Sequence, residues 1–270
     1  MSEHAAVEAV DDPVTVDRIA AGLRELGVES DDTLLVHSAL SELGWVAGGP
    51  QAVVDALQRV LTEDGTLVMP THSTQYSDPS VWTNPAVPDD WVDQIRDSMP
   101  PFRPAVTPTR GMGAVAECFR DDPDAVRSRH PLYSFAAWGS DAEAIVADHS
   151  FENAMGENSP LAEVYERDGS VLMLGIDHET NTSLHLAEYR SGVDLGEVTE
   201  TAPVLSDDER TMVEWTDIEH DSDDFPEVGA AFEREHPDAV VAGDVGAATA
   251  KLVDQPALVD FGAEWLATNR

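Results

Sequence analysis

Two short runs of strand-forming residues, Thr33-Leu34-Leu35-Val36 and Thr66-Leu67-Val68-Met69, bracket a longer amphipathic stretch, and no other feature constrains the fold as strongly. A strand wetted on one face alternates polar and apolar residues, whereas an unbroken apolar run suits a strand covered on both faces, as in a parallel sheet. Between the runs, Pro50 opens a helix that puts Val53, Val54, Leu57, Val60 and Leu61 on one face. Strand, helix and strand make a βαβ unit, which places ligands at the carboxyl ends of its strands. The loops of interest are therefore His37 to Gly49 and Thr71 to Ser73.

The flanking sequence extends this pattern. Thr15 can cap a helix carrying Val16, Ile19, Leu23 and Leu26, which Gly27 ends. Thr74 to Pro108 is rich in Pro, Trp and Asp and reads as a long excursion with one short helix near Trp91 to Ile95; excursions of that length are usually functional. The periodicity of Ala114 to Phe119 fits a helix or a strand. Ala142 to Ala147 reads as a helix, as does Pro160 to Tyr165 with Ser159 as its cap. Ser170 to Gly175 is a third buried strand, followed by a polar turn, Asp177 to Asn181, and a helix starting at Thr182 or Ser183. Thr201 to Leu205 and Thr211 to Ile218 flank the turn Ser206-Asp207-Asp208 as a β-hairpin, and the tail from Val245 to Leu266 reads as mainly helical. The expected fold is α/β: a central sheet with a parallel βαβ unit flanked by helices, plus a C-terminal β-hairpin and helical tail. Residues 1–13 read as an acidic, poorly ordered leader and residues 14–270 as a single domain, with no solenoid repeat and no linker between cores.

Charge narrows the partners. Asp plus Glu number 53 against 15 Lys plus Arg, a formal charge of -38 spread along the chain, and Lys251 is the only lysine. Nucleic acid and anionic membrane surfaces need cationic surface that is missing here. The acid excess points to a halophilic protein, because at about 1 M salt the Debye length is roughly 3 Å and carboxylate repulsion is quenched. The single cysteine, Cys118, excludes an internal disulfide or a cysteine-built zinc site and has no activating partner in the sequence. There is no signal-peptide pattern at Met1 to Asp12 and no run of about 18 apolar residues, so a cytoplasmic location is expected.

The segment Thr182-Ser183-Leu184-His185-Leu186-Ala187-Glu188 carries the most chemistry. Residues three apart on a helix are neighbours, so His185 lies beside both Thr182 and Glu188. A carboxylate raises an imidazole's basicity and fixes its tautomer, as a general base near neutral pH requires. The same spacing also fits a half-exposed helix on which the two merely pair. His178 precedes His185 by seven residues, so His178, His185 and Glu188 form an alternative metal-ligand set, although the spacing matches no familiar zinc pattern. Gly44 to Pro50 ends at a helix start whose free N–H groups suit a phosphate, or else its glycines serve only a tight turn. Thr107 to Gly113 supplies small residues and one guanidinium, Arg110.

Taken together, these segments resemble the aminoglycoside 3-N-acetyltransferase family of acetyl-coenzyme A enzymes. The match is collinear. It runs through Val36-His37-Ser38-Ala39-Leu40, Gly44 to Gly49, Met69-Pro70-Thr71-His72-Ser73, Thr107 to Gly113, His130-Pro131-Leu132-Tyr133-Ser134, Glu157-Asn158-Ser159-Pro160-Leu161 and Thr182 to Glu188, spanning roughly Val14 to Leu266. Where many relatives have Ser-Ser after the first histidine, this chain has Ser38-Ala39. The resemblance implies coenzyme A lying across the first βα loop, with His185 and Glu188 as an acid/base pair.

The leading expectation is therefore acetyl transfer from acetyl-coenzyme A to a primary amine by direct attack, with the 3-amino group of an aminoglycoside as acceptor. His185, Glu188 and Thr182 are the expected catalytic residues. His37, Ser38, Gly44, Val46, Gly48, Gly49, Thr71, Ser73, Thr109, Arg110, Met112 and Gly113 are expected to hold the cofactor, and Asp177, Glu179 and Glu188 the acceptor's ammonium groups. No metal is expected. The rivals are a metal-dependent hydrolase built on His178, His185 and Glu188, and a coenzyme A-binding protein without turnover.

Overall fold

A computed structural model describes residues 3–270. In chain order its elements begin with α1 (Glu3–Glu8), α2 (Val16–Glu25), β1 (Thr33–Ser38), α3 (Pro50–Leu61) and β2 (Thr66–Pro70). The excursion contains short 3₁₀ turns and α4 (Val92–Ser98) and leads into α5 (Gly113–Arg120), β3 (Val126–Arg127) and β4 (Phe135–Gly139). Then come α6 (Ala142–Ala147), α7 (Pro160–Tyr165), β5 (Ser170–Leu174), α8 (Ser183–Ser191), β6 (Glu197–Ser206) and β7 (Glu209–Ile218). The chain finishes with α9 (Phe225–Glu235), β8 (Val240–Val245), β9 (Ala248–Asp254) and α10 (Gln255–Asn269).

Among the described residues, seven strands form one sheet in the order β3-β4-β2-β1-β5-β9-β8. Its centre, β2-β1-β5, is parallel, with Leu35 opposite Val68 on one side and Val171 on the other. Both flanks are antiparallel. The unbroken apolar runs follow from this placement: Leu34, Val36, Leu172 and Leu174 face a core built with α2, α3 and α5, while Leu35, Val171 and Met173 face a second core built with α7 to α10. Burying both faces of three strands is what the hydrophobic effect rewards most per residue.

The long hairpin β6–β7 forms about the expected turn. Asp207 and Asp208 both have positive φ (49° and 63°), the backbone sense that matches the twist of a two-residue hairpin loop. The tail corrects its expectation. Residues 245–254 are not helical: β8 and β9 form a second hairpin that extends the central sheet, and only from Gln255 does the chain become a helix, capped by the Asp254 side chain and opened by Pro256. In β9 the side chains of Ala248, Ala250 and Val253 are buried and those of Thr249 and Asp254 exposed, nearly the alternation of a strand. Ala114 to Phe119, undecided in sequence, lies within α5. Strand β4 was not foreseen. Its Gly139 lies so close to β2 that a Cβ there would sit 2.0 Å from the Gly65 carbonyl oxygen, so only glycine fits.

Candidate active site

Helix α8 brings together the His185 and Glu188 of the sequence signature. His185 Nδ1 lies 2.5 Å from Glu188 Oε2, one helical turn along, as the three-residue spacing requires. An ionised carboxylate only accepts, so Nδ1 carries the proton and Nε2 keeps its lone pair. The Glu188 side chain is fully buried, and its other oxygen accepts from Arg270 Nη1 at 2.6 Å and from the Asp221 N–H at 3.1 Å. Arg270 is itself held by Asp224 at 2.5 Å. A buried carboxylate is tolerable when both oxygens are paired in this way.

Around His185 stands a shell of imidazoles and phenols. The His220 ring is 5.0 Å away and that of Phe225 4.8 Å. Tyr133 packs against both His72 and His220 and donates to Glu200 at 2.7 Å. Burial lowers the pKa of His37 to about 4 and pushes that of His72 well down, with the nearby His185, His149, His37 and His220 rings adding to the second effect. Burial raises that of Glu200.

Among the described residues the Thr182 hydroxyl makes no hydrogen bond to the His185 ring. Its Oγ1 lies 3.3 Å from His37 Nε2, which joins the start of α8 to the end of β1. Here a cleft of about 420 Å³ opens at the carboxyl ends of β1 and β2, lined by His37, Ser38, Met69, Pro70, Gly111 to Ala114, Ile176, Thr180 and Thr182. Gly111 and Gly113 have positive φ, and nothing lies within 4 Å of a Cβ built on Gly111. Met112 at the start of α5 makes no side-chain cap, so its first-turn N–H groups are available to a ligand.

The other sequence-predicted residues lie elsewhere. Gly44, Val46, Gly48 and Gly49 are absent from the cleft lining. Val46 bridges Val14, and a Cβ on Gly44 would sit 2.6 Å from Val10, so these two residues pack against the segment preceding α2, while nothing lies within 4 Å of a Cβ built on Gly49. Thr71 and Ser73 are buried and bonded to Arg127, whose guanidinium also holds the Pro104 and Thr107 carbonyls. This clamp ties the exit of β2 to the end of the excursion, just before the glycines that line the cleft. The Thr109 N–H donates to Glu117, and Arg110 donates to the Asn84 carbonyl inside the excursion.

Asp177 and Glu179 line a separate hollow beside Lys251, whose ammonium is 3.0 Å from both Asp177 oxygens. The metal-ligand alternative fails on geometry. His178 does not converge with His185 and Glu188: its ring packs on Gly229, where a Cβ would approach to 2.1 Å, and its Nε2 faces Glu233 at 3.1 Å. Asp177, His178 and Glu233 do come together, but the Lys251 ammonium binds both acids there.

Sequence reasoning missed Arg270, Arg127, His72, His220, Tyr189 and Asp217. The last three form a chain beside His185: Tyr189 Oη donates to Asp217 Oδ1 at 2.7 Å and lies 2.9 Å from His220 Nε2.

A mixed parallel and antiparallel sheet with helices on both faces carries a cleft at the carboxyl ends of its central strands, and the adjoining helix carries a carboxylate-bound imidazole. Comparison with known proteins specifies the family. Residues 35–267 match the aminoglycoside 3-N-acetyltransferase family profile. The chain is 44% identical to the SPbeta prophage-derived aminoglycoside N(3')-acetyltransferase-like protein YokD of Bacillus subtilis (strain 168), over 97% of this chain and 96% of that one. It is 36% identical to aminoglycoside N(3)-acetyltransferase VII of Streptomyces paromomycinus, over 98% and 96%. The crystal structure of Bacillus subtilis YokD superposes with a TM-score of 0.95 at 43% identity, covering 98% of each chain. AAC-IIIb in a binary complex with CoASH gives 0.84 at 30% identity, over 95% of this chain and 97% of that one. AAC-VIa bound to sisomicin gives 0.83 at 30% identity, over 96% and 99%. The chain belongs to the aminoglycoside 3-N-acetyltransferase family and is an acyltransferase.

Proposed function

We propose that this chain, as one domain over residues 14–270, transfers acetyl from acetyl-coenzyme A to a primary amine by direct attack. The acceptor is the 3-amino group of an aminoglycoside. His185 Nε2 is the general base and Glu188 the group that holds and stabilises the imidazolium. The observation that carries this reading is the His185–Glu188 contact beside a cleft, which leaves one imidazole lone pair unpaired. The names of the relatives support it, as do the neighbours with CoASH and sisomicin. The cleft fits the cofactor: Ser38, Met112 and Gly113 with the open N–H groups of α5 would hold it, and Gly111 leaves space that a side chain would fill. Acetyl-coenzyme A supplies the thioester. Thr182 and the cleft's backbone N–H groups are suited to the oxyanion.

The test is a screen for free-thiol release from acetyl-coenzyme A at molar salt, over 2-deoxystreptamine antibiotics, simpler amino sugars and polyamines. Product mass should show one added acetyl. A far higher specificity constant for an unrelated amine defeats the antibiotic assignment, and thiol release independent of any amine defeats transfer altogether.

The assay salt matters because a charge of -38 spread along the chain supports a halophilic protein, which this reading takes to be cytoplasmic. Unscreened carboxylates repel over about 10 Å at 0.1 M salt and only about 3 Å at 1 M. The melting temperature should therefore rise steeply with potassium chloride from dilute buffer to molar concentrations; a melting temperature that ignores salt removes the solvent argument.

A further inference from the structure

The Tyr189 hydroxyl has one proton, and the Asp217 carboxylate, which can only accept, takes it. Asp217 is committed as a carboxylate, since it also accepts the N–H groups of Ala154 at 2.9 Å and Ile218 at 2.8 Å. Burial and that carboxylate push the Tyr189 phenol far up, so it keeps its proton. The 2.9 Å contact between Tyr189 Oη and His220 Nε2 must then be an N–H donated by the imidazole. His220 is thereby held as the Nε2–H tautomer with its Nδ1 lone pair unused, and among the described residues no hydrogen bond reaches that atom. Two carboxylate-anchored imidazoles stand side by side, His185 on Glu188 and His220 on Tyr189 and Asp217, with ring centroids 5.0 Å apart. The next residue ties them together, because the Asp221 N–H donates to Glu188.

The two rings differ in what they can do with a proton. His185 gains a carboxylate directly on Nδ1. His220 meets a neutral hydroxyl, and burial with the nearby His185 lowers its pKa to about 4, so it stays a neutral acceptor throughout the working range. An amine attacking a thioester carbonyl through its lone pair has three other substituents: carbon and two hydrogens. As the N–C bond forms and the C–S bond breaks, one hydrogen leaves as a proton to His185 and is then passed to the sulfur, giving free thiol. The other remains on the product amide.

We propose that His220 Nδ1 accepts a hydrogen bond from the N–H the amine keeps, so that the pair His185 and His220 selects primary amines and aims their lone pair. This rests on the acetyl-transfer reading above. A secondary amine puts carbon where that N–H should be and leaves the His220 lone pair buried against it, a mismatch that sites built around hydrogen bonds reject strongly.

Two substitutions separate the ring's two nitrogens. His220→Gln can still donate to Tyr189 but has no acceptor at the Nδ1 position; His220→Asn keeps an acceptor there and loses the Tyr189 bond. With sisomicin and its 3-N-methyl derivative as acceptors, kcat/KM for sisomicin should fall about 10- to 100-fold in His220→Gln and markedly less in His220→Asn. The preference for the primary amine should shrink about tenfold in His220→Gln. The KM for acetyl-coenzyme A and the melting temperature serve as controls for the fold and should hold within a few-fold and a few degrees. Equal losses in both variants, or an unchanged preference in His220→Gln, overturn the role of His220. Wild-type protein that acetylates neither acceptor nor any amine in the screen overturns the acetyl-transfer reading instead.

Discussion

His185→Ala is expected to lower kcat about 100- to 10,000-fold, the usual contribution of a positioned general base, while acetyl-coenzyme A binding stays within a few-fold. The asymmetry follows from geometry. His185 Nδ1 is committed to Glu188, and neither residue lines the cleft formed by Ser38, Met69 and Gly111 to Ala114. Removing the ring deletes the proton acceptor without disturbing the cleft wall, so single-turnover rates should fall and equilibrium binding of coenzyme A should not. Glu188→Gln should be strongly impaired as well. It removes the charge that stabilises the imidazolium and leaves Arg270 facing a neutral amide across 2.6 Å. Its rate profile against pH should be displaced from that of the wild type. Near wild-type turnover in His185→Ala removes the imidazole from the mechanism, and an unchanged profile in Glu188→Gln makes that carboxylate a packing element.

The sequence announces the central parallel strands and the His185–Glu188 pair because both depend on local spacing. Leu34 to Val36 and Val171 to Leu174 are buried on both faces, and unbroken apolar runs report that directly. One helical turn suffices to join His185 to Glu188. What stays illegible depends on distant partners. Arg270 reaches Glu188 across 82 residues, and Arg127 reaches Thr71 across 56, with no local pattern to mark either. Gly44 shows the converse: a glycine in a loop suited to phosphate is equally suited to close packing, and Val10 supplies that packing, whereas nothing lies within 4 Å of a Cβ built on Gly49. The β8–β9 hairpin is not legible in the sequence because Ala248, Ala250 and Lys251 are strong helix formers, and the sheet edge offered by β5 outweighs that preference.

Acid should unfold this protein earlier than its carboxylates alone would. Burial lowers the pKa of His37, His149 and His220 to about 4 and pushes those of His72 and His130 well below the ordinary value of 6.5. His149 and His130 illustrate why. His149 Nε2 donates to the Ala154 carbonyl at 2.7 Å while Nδ1 faces Ser128 at 2.9 Å, and His130 Nδ1 accepts the N–H groups of Leu132 and Tyr133. A second proton on the His130 ring would force Nδ1–H against those two N–H donors, while His149 is kept neutral by its burial. Between about pH 6.5 and 4 the unfolded chain binds protons that the folded state refuses, so stability is fully present above 6.5 and falls as pH drops toward 4. Each such imidazole costs about 1.4 kcal/mol per pH unit. Two effects oppose the trend: protonating surface carboxylates relieves repulsion, and Glu200, whose folded pKa is raised, takes up its proton more readily folded than unfolded. Both act mainly near and below the ordinary carboxylate range, around pH 4 to 5. In molar salt, where surface repulsion is already screened, the histidine contribution should dominate from 6.5 to 5. The denaturation midpoint should decline through that interval, with imidazole NMR signals from at least three histidines still neutral at pH 5. A flat midpoint over this range, or histidines that all titrate near 6.5, contradicts the buried neutral cluster.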